Sequence, residues 1–468
     1  MEEKLLPLEL DLSTFGLPAP QRTLAPTSKE NAILMAELSY NVEEQTRTAR
    51  SMIANFNQEQ RSFFDAVMVS LSNDNNGKLF CVDAPGGTGK TYLLNGILAA
   101  VRADGHIAIA TALSAVASKL LTGGTTLHSK LKVPIDVKKE SLCNFTSSCG
   151  TGKMLQKAKP LIIDEVSMGH RHIYEAIDRS LQRVRGNNKV MGGLTVILAG
   201  DWRQCLPIIE GGGEAQVVGA CLKNSALWSS VKVFHLTDNM RVRMSGSAEV
   251  EEHSKWLLKV GQGECGDGEL TIPERMRLPQ ETLASLVEAV YPNLTQRYTD
   301  TTWLGERAIL SPTNKEVAEV NDLALSSIPG NEVCLRSIDS TEDGSTEYPP
   351  EFLNTLELSG LPPHLLKLKQ GAKVILLRTM DAKNGHCNGV VYTVCNIRPH
   401  VLELRAITGS NIGAILLLPR IVSISKSASL PFKLRRKQFP IAVAFGYSAN
   451  KVYISIERLL LHLKFPLF

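Results

Sequence analysis

The run Leu79-Phe-Cys-Val-Asp-Ala-Pro-Gly-Gly-Thr-Gly-Lys-Thr91 constrains this chain more than any other feature. A short apolar stretch passes through a glycine-rich turn into a helix start. The segment after it, Thr91–Arg102, carries Leu93, Leu94, Ile97, Leu98 and Val101 at helical spacing. Successive backbone N–H groups in such a turn, with the N-terminal end of the helix, form a nest for phosphate oxygens. Pro85, Gly86, Gly87, Thr88 and Gly89 form the cradle. Lys90 is placed to reach the β- and γ-phosphates, and the Thr91 hydroxyl to ligate Mg²⁺. The pattern's usual first glycine is replaced by Ala84, while the remaining glycines keep the loop permissive. A preceding strand and a following amphipathic helix separate this turn from a chance glycine cluster.

A phosphate cradle of this kind needs a carboxylate at the end of a neighbouring strand. Leu161-Ile-Ile-Asp164-Glu165 supplies it, with Asp164 assigned to the metal, largely through water, and Glu165 to the base for an attacking water. A third apolar strand ends in Leu198-Ala-Gly-Asp-Trp-Arg-Gln204-Cys-Leu-Pro207, where Gln204 can orient water beside a γ-phosphate. Leu79–Val82, Ile107–Ala110, Leu161–Ile163 and Leu194–Ala199 are continuous apolar runs, the type buried on both faces of a parallel sheet. Strands alternating with helices give an α/β fold with a parallel sheet.

Composition narrows the function class. Of the 468 residues, Lys and Arg number 51 against 47 Asp and Glu, so bulk charge does not announce a polyanion binder and any nucleic-acid site is a local patch. No apolar run reaches the length that crosses a bilayer, and Met-Glu-Glu-Lys opens neither a signal peptide nor a transit peptide. Nine cysteines, an odd number without CxxC spacing, read as reduced thiols in the cytosol or nucleus. A helix is expected from about Lys29 to Ile53 in a peripheral leader, and Lys130–Lys159 reads as a polar insertion between strands. Residues 245–300 read as helical or irregular, with Gly261, Gly263, Gly266 and Gly268 in a loop. Ala308–Leu310 and the helical Lys315–Leu325 open a second α/β unit. Val374–Leu377, Val390–Val394, Val401–Leu404 and Ile415–Leu418 suggest a small antiparallel barrel.

The chain resembles the Pif-type DNA helicases of the B class of helicase superfamily one, most of all the Helitron-transposon subgroup. The matching pieces run in order over residues 10–451. Besides the P-loop they include Phe15-Gly-Leu-Pro-Ala-Pro, Asn57-Gln-Glu-Gln60, Gly123-Gly-Thr-Thr-Leu-His-Ser129, Asp164-Glu-Val-Ser-Met and Gly200-Asp-Trp-Arg-Gln-Cys-Leu-Pro207. Further matches are His170-Arg-His-Ile-Tyr-Glu-Ala-Ile-Asp178, Leu236-Thr-Asp-Asn-Met-Arg241, Trp256-Leu-Leu-Lys-Val-Gly-Gln-Gly263, Leu310-Ser-Pro-Thr-Asn314, Cys387-Asn-Gly389 and Arg435-Arg-Lys-Gln-Phe-Pro440. The resemblance implies two RecA-like P-loop NTPase domains, with ATP in the cleft between them and an SH3-like β-barrel inserted in the second. The implied layout is a leader at 1–50, a first motor domain at 51–245 with its insert at about 130–159, and a connection at 246–305. A second motor domain follows at 306–345 and 426–468, with the barrel at 346–425. Gln60 matches the adenine-recognising residue and Arg241 an arginine that touches the γ-phosphate. Thr126, His128 and Ser129 match the single-strand track, and Lys130, Lys132, Lys433, Arg435 and Arg436 are candidates for its basic groove, against the plainer reading of a solvated charged face.

The implied activity is ATP- and Mg²⁺-dependent 5′–3′ translocation on single-stranded DNA and DNA junctions, by a monomer, in the nucleus. The mitochondrion is the alternative compartment. The uses implied are repair, recombination, telomere maintenance or Helitron transposition, and a transposon product or a resident cellular helicase both fit. His170-Arg-His172 falls in a helicase block, not in a His-hydrophobic-His nuclease motif. After Lys451 the chain leaves the family pattern, where a second ATP-facing arginine is expected. That departure implies retained ATP binding with weakened hydrolysis and unwinding, and a poorly stable second domain. Two alternatives stay open: a remnant that binds ATP or DNA without efficient unwinding, and a DNA-dependent ATPase that does not unwind.

Overall fold

The computed structural model of the chain describes residues 29–72, 78–209, 211–264, 272–278, 280, 282–311, 313–344, 347–358, 360–381, 384–409, 411–425, 430–448 and 458–461. The fold divides into two compact units, with the boundary between Leu270 and Thr271.

The first unit is built on a six-stranded parallel sheet in the order β3-β2-β4-β5-β1-β6. Its strands are β1 (Leu79–Asp83), β2 (Ile107–Ala112), β3 (Thr125–Thr126), β4 (Ala158–Asp164), β5 (Thr195–Gly200) and β6 (Val231–His235). Every residue of β1, β2 and β5 is buried, as continuous apolar runs require in a sheet covered on both faces. Parallel register pairs Asp83 with Gly200 and Ala112 with Asp164, which brings the carboxyl ends of β1, β5, β2 and β4 to one rim. Ligand sites in open α/β sheets form at such rims.

Helices cover both faces. The single helix expected over Lys29–Ile53 is two, α1 (Lys29–Leu38) and α2 (Val42–Ala54), because Asn41 caps the second one. Nor is this stretch peripheral. Ile33 and Leu34 of α1 pack on one core, while Ala49 and Ile53 of α2 pack on the other with α3 (Gln58–Leu71) and α4 (Lys90–Ala103). The insertion between β3 and β4 is anchored rather than solvated. Leu131, Val133 and Cys143 are buried with Met154 and Leu155 of α5 (Gly150–Lys157) and with α6 (Arg171–Arg185). Past β6 come α7 (Met240–Ser245) and α8 (Ala248–Gln262); Gly261 lies inside α8 and Gly263 ends it in a left-handed conformation.

In the second unit, β7 (Arg307–Ser311) lies parallel between β18 (Gly446–Ser448) and β19 (Arg458–Leu461). Helix α9 (Asn314–Ser327) packs on this sheet, and its buried Asn321 accepts the N–H groups of Phe445 and Gly446. The β-rich expectation holds and extends past both limits. A five-stranded antiparallel sheet runs β14-β13-β12-β11-β17, from β11 (Lys373–Leu376), β12 (Val391–Ile397), β13 (Val401–Ala406), β14 (Ile415–Pro419) and β17 (Ile441–Val443). Beside it are β15-β16-β9 and β10-β8, from β8 (Val333–Arg336), β9 (Ile338–Thr341), β10 (Leu365–Leu368), β15 (Ile421–Ile424) and β16 (Leu434–Gln438).

Strand β16 corrects one assignment. Its residues alternate buried and exposed, and Arg436 faces inward, 1% exposed, with its guanidinium on both oxygens of Asp339 at 2.6–3.0 Å. Carbonyls of Leu353 and Pro362 each take a further N–H of the guanidinium. Arg436 is therefore a structural ion pair and not part of a DNA groove, whereas Lys433, Arg435 and Lys437 lie on the exposed face. The Phe15 block, Gly266, Gly268 and the tail after Lys451, apart from β19, lie outside the described residues. No described helix is long and apolar enough to cross a membrane.

Candidate nucleotide-binding site

Gly87 and Gly89 adopt φ of +89° and +81°, which L side chains rarely occupy. A Cβ on Gly87 would stand 2.6 Å from Asn239 Oδ1, and one on Gly89 would stand 2.6 Å from Gln60 Nε2. The carbonyls of the turn are held from outside. Asn239 Nδ2 donates to Gly86 O at 3.3 Å, the Arg241 N–H to Gly87 O at 3.2 Å, and Gln60 Nε2 to Thr88 O at 3.1 Å. In a trans peptide the N–H points opposite to the C=O, so the N–H groups of Gly87 and Gly89 turn to the other side. That is the polarity an anion nest needs. Thr88 closes the turn, its hydroxyl donating to Pro85 O at 2.8 Å.

Lys90, at the start of α4, lies 2.7 Å from Asp164 Oδ1 and 2.8 Å from Glu165 Oε1. Burial alone would lower its pKa; the Asp164 and Glu165 carboxylates outweigh burial and raise it above the ordinary lysine value. Glu165 has left-handed backbone (φ 59°), a cost that functional turns carry, and its N–H donates to Asp164 Oδ1 at 2.8 Å. Its Oε2 and the Ser167 Oγ are buried without a hydrogen-bond partner among the described residues. Unsatisfied polar atoms at this rim fit a polar, charged occupant. Thr91 is half-buried, one residue after Lys90.

Gln204 is exposed and donates to Asp201 Oδ2 at 2.9 Å. Its neighbour Arg203 pairs with Asp83 at 3.1 Å and Asp201 at 3.2 Å, tying the ends of β1 and β5. Burial opposes the Arg203 charge, and the two carboxylates more than restore it. Glu59 accepts the Thr237 hydroxyl, the Thr237 N–H at 2.7 Å and the Asp238 N–H at 3.3 Å, fixing the approach to α7. Burial would raise its pKa, but these hydrogen bonds hold it below the usual carboxylate value. Asn239, Arg203 and Glu59 all stand inside motifs that the sequence displays, but nothing in the sequence gives any of the three a role. An Asn just before a helix is an N-cap signal that could have drawn attention to Asn239.

The single-strand candidates sit on the short helix Leu127–Lys130, where Thr126 is the N-cap and its hydroxyl accepts the Ser129 N–H at 3.4 Å. His128 is half-buried, and burial lowers its pKa; Lys130 is ion-paired with Glu37. His170 caps α6 and accepts the His172 N–H at 3.1 Å, a local structural role. Among the described residues no group of three or more His, Cys, Asp or Glu is arranged to hold a metal ion.

Two family patterns match the chain: PIF1-like helicase at residues 55–270, and the 2B domain of DNA helicase Pif1 at residues 351–397. Those two stretches are similar to Pif-type helicases. The human ATP-dependent DNA helicase PIF1 is 26% identical over 375 residues, covering 78% of this chain and 51% of the relative. The Psychrobacter ATP-dependent DNA helicase Pif1 is 26% identical over 317 residues, 67% of this chain and 44% of the relative. The chain thus spans about half the length of the curated Pif relatives it matches. The crystal structure of Bacteroides Pif1 helicase with ADP-AlF3 and ssDNA superimposes at a TM-score of 0.57 with 20% identity, covering 87% of this chain and 86% of that one. Candida albicans Pif1 helicase gives 0.52 with 19% identity, over 85% and 86%. The fold is that of the Pif helicases, an α/β architecture with a RecA-like parallel sheet.

Proposed function

We propose that this chain is an ATP-dependent DNA helicase that moves 5′ to 3′ on single-stranded DNA and opens duplex ahead of it. The observation that carries the reading is the joining of the phosphate cradle, through Lys90, to both carboxylates at the end of β4. The ATP phosphates lie against the N–H groups of Gly87 and Gly89, with Lys90 balancing their charge. Thr91 and Asp164 would hold Mg²⁺, which supplies charge neutralisation at the phosphates when bound. Glu165 takes the proton of the attacking water, Gln204 orients that water, and Arg241 faces the charge that develops on the γ-phosphate. Gln60 stands at the adenine end.

DNA is engaged without sequence preference by Thr126, His128 and Ser129 on the first unit and by Lys433 and Arg435 on the second. Its phosphates are neutralised by exposed cations and the affinity falls with salt. We place the enzyme in the Helitron subgroup, acting as a monomer on nuclear DNA. Strand displacement from a tailed duplex, beside ATP hydrolysis on the same DNA, tests the reading. DNA-stimulated hydrolysis without displacement would replace it by a non-unwinding ATPase.

A further inference from the structure

All four hydrogen-bonding capacities of one side chain, Asn239, are used, and they join three elements around the cradle. Its Oδ1 accepts the N–H groups of Arg241 at 3.1 Å and Val242 at 3.2 Å, capping α7. The partners fix the amide's orientation: two donors face Oδ1, so Nδ2 faces the acceptors. Nδ2 donates to Gly86 O at 3.3 Å and to Ser254 Oγ of α8 at 2.9 Å. The same Oδ1 occupies the space a Gly87 side chain would take, so the cradle and this amide are fitted to each other. Helix α7 carries Arg241, whose own N–H is bound to Gly87 O. A shift of the Gly86–Gly87 peptides therefore cannot occur without disturbing the cap of the helix that bears Arg241.

We infer that Asn239 is a positioning residue that couples the phosphate cradle to the Arg241 helix and, through Ser254, to α8. Its two functions are separable by chemistry. The Oδ1 cap orders α7; the Nδ2 donors hold the cradle carbonyl outward and so its N–H groups toward phosphate. The inference rests on the nucleotide reading of the cradle.

Asn239→Asp separates the two functions. A carboxylate is as good an N-cap as an amide but has no donor, and it sets a negative charge against Gly86 O. The inference predicts an unchanged melting temperature for Asn239→Asp, with affinity for a fluorescent ATP analogue weakened roughly tenfold or more, the scale of one lost hydrogen bond with an orphaned partner. Its KM for ATP rises accordingly, and kcat falls as the Gly86–Gly87 peptides lose their register against the still-capped Arg241 helix. Asn239→Ala loses the cap as well and melts lower. A purely structural cap predicts the opposite order: Asn239→Asp indistinguishable from the unaltered chain in binding, KM and kcat, with Asn239→Ala alone affected. That result overturns the inference while the unaltered chain still binds the analogue. If the unaltered chain does not bind it, the nucleotide reading itself fails.

Discussion

Lys373 is the only lysine of the described chain whose burial drives its pKa down as far as about 7, from 10.5. It is 2% exposed at the start of β11, its Nζ 2.5 Å from Arg307 O and 3.5 Å from Tyr291 Oη, over the Tyr291 and Tyr447 rings at 5.8 and 5.5 Å. No carboxylate pairs with it among the described residues. A lysine with a lowered folded-state pKa penalises folding fully below that pKa, and the penalty fades as pH rises toward 10.5. At 1.36 kcal/mol per pH unit the full penalty is bounded at about 5 kcal/mol, and the gain between pH 7 and pH 9 is about 2 kcal/mol. Lys373→Met keeps the aliphatic stem and removes the charge. Arg307 O is not orphaned, since Tyr291 Oη also donates to it at 2.9 Å. The expected result is a second unit more stable by roughly 1–4 kcal/mol at pH 7, with little pH dependence up to pH 9. Urea unfolding followed at Trp303, with the other three tryptophans replaced by Phe, reads that unit. The buried Tyr291 and Tyr447 hydroxyls, whose pKa values burial raises, limit the window to pH 9. Loss of stability in Lys373→Met, or a wild-type stability flat from pH 7 to pH 9, would refute the reasoning.

Gly87→Ala and Gly89→Ala should each weaken binding of a fluorescent ATP analogue at least about tenfold, since both force a left-handed alanine against a side-chain amide. Equilibrium titration checks this, and unchanged affinity would count against the cradle. Arg436→Ala leaves the Asp339 carboxyl group buried without its guanidinium partner, so a loss of about 3–5 kcal/mol in urea unfolding is expected. The Lys433→Ala/Arg435→Ala pair should instead keep stability and reduce the slope of log affinity for single strands against log salt by about 1–2.

The parallel sheet was legible because Leu79–Val82, Ile107–Ala110, Leu161–Ile163 and Leu194–Ala199 are buried on both faces, and burial there shows directly in composition. Strand β6, Val-Lys-Val-Phe-His, was missed because it is an edge strand with partly exposed residues, which leaves no continuous apolar run. Strand β16, Leu-Arg-Arg-Lys-Gln, reads as a basic run, since Arg436 becomes an interior residue only through Asp339, 97 positions away. The P-loop residues and both carboxylates stood out because phosphate chemistry demands them at fixed places on strand ends. Asn239, Arg203 and Glu59 act by holding peptide groups or other side chains, and a sequence does not display which carbonyl a distant amide will meet. The break at Ser39–Asn41 was missed because the pattern continues through it and only the Asn41 cap marks the new start.

The central claim is tested most directly by the ATP hydrolysis rate of the unaltered chain with and without a single-stranded oligonucleotide, beside opening of duplexes carrying a 5′ or a 3′ tail. The account predicts hydrolysis stimulated by DNA of any sequence, opening from the 5′ tail alone, and loss of both in Lys90→Ala. Hydrolysis indifferent to DNA, opening from the 3′ tail, or full activity in Lys90→Ala would contradict it.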